Sequence, residues 1–128
     1  MKILIETIPH DKQRYRTCGD WYEKDGVFHI RVSEEMGQDS CFLVAVHELI
    51  EWYLAMKRGV RELDVDNFDI QYEKERDEGK HGATEEPGFD PSCPVFNEHV
   101  CADAFEKLLC QQLNIRWNIH EDNVNRLP

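Results

Sequence analysis

The sequence predicts an α+β fold, with a small antiparallel sheet of about three strands packed on three helices in one domain spanning residues 1–128. Three observations predict it. β-Branched and aromatic runs crowd the first third of the chain. An apolar run without Gly or Pro, Cys41–Met56, follows them, and the later periodic segments have helical length. A chain of 128 residues is long enough to bury a substantial core.

Taken in order, Lys2–Ile8 (KILIETI) alternates as a strand does, and Pro9 ends it. Arg14–Tyr22 and Val27–Ser33 bracket Glu23-Lys24-Asp25-Gly26. Asp-Gly between two such runs is a strong hairpin signal. In VFHIRVS, Phe28, Ile30 and Val32 make an apolar face, while Val27, His29, Arg31 and Ser33 make the wet one. Asp39 or Ser40 is placed to N-cap the first helix, which runs to Arg58 and stops at Gly59. A second helix is expected over Glu62–Arg76, ending near Gly79, although its apolar positions recur less regularly. Gly79–Pro94 reads as a long Pro- and Gly-rich loop, of the kind that often carries function. The last helix covers Val95–Leu113, and the tail Asn114–Pro128, with Trp117, is expected to fold back onto the core.

The net charge of −11 disfavours phosphate backbones and anionic membranes, which are bound through excess Lys and Arg. It suits a basic partner or a cation, and it also keeps a cytoplasmic protein dispersed. Five cysteines form no C-x-x-C pair, and Met1-Lys2 leads directly into a strand, so a reducing cytoplasm with thiols as small core residues is expected. The longest apolar run carries three titratable groups, which argues against a membrane span.

Those three groups are His47, Glu48 and Glu51, the only polar residues of Cys41–Met56. At roughly 100° per residue, Glu48 lies about 100° and Glu51 about 40° round from His47. Burying two carboxylates and an imidazole without partners costs several kcal/mol, so such groups are paired or bound to metal. Residues i and i+4 point the same way, which assigns His47 and Glu51 as metal ligands. Glu48, further round, is then the general base for a metal-activated water. A Glu in place of a second His hardens the site, which would accept zinc first, or manganese or iron. The alternative is a core ion pair between His47 and Glu51.

A catalytic site needs a third protein ligand and an open position. The last helix offers His99, with Asp103 one turn on to orient it from behind, or else Glu98. On the helical wheel Val100, Cys101, Ala104, Phe105, Leu108 and Leu109 form the apolar arc, with Glu98 inside it and His99, Asp103 and Glu106 opposite. Burial favours Glu98. The softness of the ligand set favours His99, which is the first choice. His10, His29, His81 and His120 read as surface residues. Asp64, Asp66 and Asp69 fail the calcium-loop spacing, and Cys93 has no placeable His partner.

The order of strands, the HELIE helix and the later NEH helix resembles the minimal zincin-like proteins, or minigluzincins. In these an edge strand beside the active-site helix can hold an extended peptide. VAVHELIEWYLAMKRG, EEPGFDPSCP and FNEHVCADAFEKLL also resemble a group of small, uncharacterised phage and bacterial proteins. The resemblance spans Phe28–Leu113 and implies a metal-site scaffold with His47, Glu48 and Glu51 at matching positions. Zincin peptidases carry His where this chain has Glu51, so peptidase activity does not transfer with the fold.

Two functions are therefore expected. One is a metal-dependent, peptidase-like hydrolase acting on a peptide or protein, with Val27–Ser33 lining the cleft and Gly79–Pro94 covering it. The other is a non-catalytic acidic phage-type protein that binds a basic host partner, with a structural metal or none.

Overall fold

The computed structural model describes all 128 residues. Its elements are β1 (Lys2–Ile8), β2 (Gly19–Lys24), β3 (Val27–Ser33), α1 (Gln38–Arg58), α2 (Glu62–Asp77), α3 (Phe96–Gln112) and α4 (Trp117–Asn125). The class is α+β, with a three-stranded sheet packed on helices.

Asp25 and Gly26 both take positive φ, 54° and 77°, the two-residue turn that the right-handed twist of a hairpin favours. β2 and β3 accordingly pair antiparallel, from Gly19↔Val32 to Lys24↔Val27. The expectation of a wholly antiparallel sheet needs correcting: β1 pairs parallel with β3, from Lys2↔Val27 to Ile8↔Ser33, in the order β1-β3-β2. The reason lies in residues 9–18, which carry the chain past β3 to its far side instead of turning back on β1. The second strand is also shorter than Arg14–Tyr22. Arg14, Tyr15 and Arg16 instead bond to Asp66, Asp69 and Asp77, tying this segment to α2.

α1 is the hub, packing on β2, β3, α3 and α4. Ile30, Val32, Val44, Trp52 and Ala55 are among the core it shares with the sheet. Each such large side chain, fully buried, contributes about 1.5–3 kcal/mol. Gly59, in the left-handed region at φ 78°, ends the helix as expected by donating to Ala55 and Met56 carbonyls. Its N-cap is Gly37, and neither Asp39 nor Ser40 serves. Ser40 lies inside the first turn, where its hydroxyl meets His120. The tail does return to the core, as a fourth helix, α4, against α1 and α3. No helix is long and apolar enough to cross a membrane.

Candidate metal centre

One turn of α1 places His47 and Glu51 on the side that meets α3, and α3 answers with His99; all three are buried. His47 Nε2 lies 3.2 Å from Glu51 Oε2 and 3.0 Å from His99 Nδ1, and His99 Nδ1 lies 2.9 Å from that same Glu51 oxygen. Three ligand atoms of the right kinds thus converge on one point. These residues form a possible metal-binding triad.

Each ligand is held from behind. Trp21 in β2 donates its indole N–H to the other Glu51 oxygen at 3.1 Å. His47 donates its Nδ1–H to Glu106 Oε1 at 2.7 Å, which turns Nε2 towards the triad. Gly88 lies on the His99 ring so closely that a Cβ there would overlap it, and Phe89 meets the ring edge-on at 4.6 Å.

The electrostatics match this geometry. Burial alone would lower the His47 imidazole, but its bonds to Glu106 and Glu51 hold it well above the usual histidine range. His99, likewise working against burial, is raised to about 9 by its bond to Glu51 and by the Glu86 carboxylate 3.7 Å from its Nε2. Burial would lift Glu51, yet its bonds to the two imidazoles hold it below the usual carboxylate range.

Beside the triad opens a cavity of about 230 Å³, walled by β2, α1, α2, α3 and residues 83–88. Glu48 faces into it. Burial and the neighbouring charge of Glu51 raise its carboxyl well above the usual range, and no hydrogen bond holds it down. A Cβ on Gly19 would stand 2.8 Å from Glu48 and from Val44, so only glycine lets β2 approach α1 here. Asp69, on α2, also lines the cavity, accepting from the Tyr15 hydroxyl at 3.1 Å, and burial with the charge of Glu51 raises it to about 7.

Of the two candidate third ligands, the structure brings His99 to His47 and Glu51. Glu98 is also buried, but it turns to Arg58, whose Nη2 donates to it at 2.6 Å. Asp103 does not orient His99. It pairs with Lys107 at 2.9 Å, and the carboxylate behind the site is Glu106, on His47. The cleft wall expected of Val27–Ser33 comes instead from Cys18–Trp21, because β3 is the central strand. Residues 83–88 and Cys93 of the long loop do line the cavity.

Sequence reasoning passed over Trp21, Glu106 and His120. The last, expected at the surface, is 1% exposed. A signal for Glu106 existed: positions 99, 103 and 106 share one helix face, and a charged face opposite a buried His is a partner for it.

The donor set fits a divalent metal. Ligand atoms 2.0–2.1 Å from a tetrahedral zinc stand roughly 3.3 Å apart. The observed 2.9–3.2 Å needs only small side-chain movement to reach that. The cavity leaves one side of the three residues open. Comparison of the chain with protein-family models, curated proteins and solved structures finds no match.

Proposed function

We propose that this chain is a metal-dependent, peptidase-like hydrolase of zincin-like build. His47, Glu51 and His99 would hold the metal, zinc first among candidates, and Glu48 would act as general base. One observation carries the reading: two helices bring three ligand atoms to one point on the wall of a cavity that also holds an unpaired carboxylate.

A zinc ion held there supplies Lewis acidity, polarising a carbonyl and making water acidic enough to attack near neutral pH. The protein does the rest. Glu48, lifted in pKa, accepts the proton of the attacking water and returns it to the departing amine as the C–N bond breaks. Trp21 and Glu106 keep Glu51 and His47 in their rotamers, so little reorganisation is needed. The cavity at the start of β2 gives room for an extended chain segment.

The test is elemental analysis of tag-free protein beside His47→Ala and His99→Ala, followed by a peptide-substrate screen with Glu48→Gln as control. Near-stoichiometric zinc that both alanine variants lose, and turnover that Glu48→Gln abolishes while keeping zinc, is the expected outcome. Wild-type protein that binds no divalent metal would overturn the reading and leave the non-catalytic acidic protein in its place.

A further inference from the structure

Behind His47 a line of buried polar groups runs out of the site and into α4. Glu106 Oε1 meets His47 Nδ1 at 2.7 Å, and its Oε2 meets His120 Nε2. His120 Nδ1 meets Ser40 Oγ at 2.9 Å, and Asn123 Nδ2 meets the same hydroxyl at 3.1 Å. His120 and Ser40 are almost completely buried, at 1% and 2% exposure, so each bond must be satisfied within the protein.

The donor inventory fixes the direction of this line. The Asn123 amide nitrogen donates to Ser40 Oγ, and His120 Nδ1 is the one acceptor bonded to the buried Ser40 hydroxyl, so the Ser40 O–H goes to it. His120 Nδ1 is then the acceptor nitrogen, and Nε2 carries the hydrogen that goes to Glu106. The Glu106 carboxylate, held on one oxygen by α4, offers the other to His47 Nδ1–H. That commits Nδ1–H to Glu106 and leaves Nε2 as the nitrogen turned to Glu51 and His99, the one that would ligate a metal. Each group in the line settles the orientation of the next.

We infer that His120 is a positioning residue, and that α4, through the line Asn123–Ser40–His120–Glu106, sets the His47 tautomer needed for metal binding. The inference rests on the metal-centre reading above for its consequence, though the hydrogen-bond line itself stands without it. α4 also lends Val124 and Asn125 to the cavity wall, but none of its side chains belongs to the triad, so its reach to His47 runs through this line. A packing role alone would not require a polar side chain at either position 40 or 120.

The experiment uses the full chain, first stripped with a chelator and then titrated with zinc against a competing indicator. At a pH high enough to leave the imidazoles neutral, long-range ¹H–¹⁵N correlation reports which nitrogen of His47 carries hydrogen. Outer-shell partners of ligating histidines typically contribute about ten- to a hundredfold in metal affinity. His120→Leu is expected to weaken zinc binding by about tenfold or more and to remove the preference for Nδ1–H on His47. His120→Gln, which keeps an N–H donor, should recover most of both. Ser40→Ala changes little volume, is expected to move both readouts in the same direction, and decides the matter if His120→Leu does not fold. Unchanged affinity and tautomer in Ser40→Ala and His120→Leu would overturn the inference. So would a His120→Gln protein no better than His120→Leu, which would mark His120 as packing only. A wild-type chain that binds no zinc, yet shows a His120-dependent tautomer on His47, would sink the metal-centre reading while leaving the positioning role in place.

Discussion

The imidazole of His47 stands 3.0 Å, nitrogen to nitrogen, from that of His99, 52 positions further along the chain. Two buried imidazoles facing each other edge to nitrogen, with one oxygen of Glu51 completing the triangle, form an arrangement that either protons or a cation must bind together.

The competition between protons and metal sets a pH dependence. In chelator-treated protein His99 titrates at about 9 against an ordinary value of 6.5, so the folded state binds the extra proton more tightly. Its contribution is complete below pH 6.5 and is lost as pH rises through 9. The raised Asp69 carboxyl acts in the same direction at lower pH, between 3.8 and about 7, while the raised His47 imidazole adds to the fall above pH 6.5. Urea unfolding in chelator should therefore show stability falling across that window, and His99→Gln should flatten the fall. Zinc affinity should rise over the same range, because ligation needs the nitrogen lone pairs. Stability that is flat or rising with pH would contradict this assignment.

Gly88 sets the contact of the loop with His99. Gly88→Ala places a methyl group where the imidazole ring lies, so the ring or residues 87–89 must move. The expected cost is about 1–3 kcal/mol, the usual penalty for overpacking. Zinc affinity should drop with it, and a thermal melt beside a zinc titration would show whether both change together.

Glu98 and His99 are adjacent in sequence but have different jobs. Glu98→Gln should keep zinc at wild-type stoichiometry and lose about 1 kcal/mol through the weakened bond to Arg58. His99→Gln should lose the metal. Elemental analysis of the two variants separates them, and loss of zinc from Glu98→Gln would mean the ligand is misassigned.

The exposed side of α3 carries Val100, Phe105 and Leu108, at 43%, 49% and 52% exposure. Leu108→Glu should therefore shift stability by no more than about 0.5 kcal/mol. Ala102→Leu, on the fully buried side against α1, should cost about 1–3 kcal/mol. Denaturant midpoints that reverse this order would show that α3 is turned the other way.

Much of the molecule was legible before folding. The Asp25-Gly26 hairpin, the stop at Gly59 and the sharing of one helix side by His47 and Glu51 are local matters of turn geometry and helical period. α2 is likewise close to expectation, Glu62–Asp77 against Glu62–Arg76. The parallel pairing of β1 was not legible. Alternation reveals a strand but not the direction of its neighbour, which the path of residues 9–18 decides.

α3 shows the limit most plainly. Hydropathy puts its apolar arc inward, yet Glu98, His99, Asp103 and Glu106 are buried and the apolar arc faces outward. Wheel reasoning assumes an apolar neighbour. The neighbour here is the polar side of α1, where His47 Nδ1 would be buried without a partner if Glu106 did not meet it. Leaving such a group unsatisfied costs more than exposing a few aliphatic side chains. The sequence by itself determined which chemistry α1 carries, because i, i+4 spacing is a property of one helix. Only the tertiary structure decided that His99 joins it, that Glu98 turns to Arg58, and that α4 stands behind His47. Those are relations between helices distant in sequence, set by the pairing of buried polar groups across them.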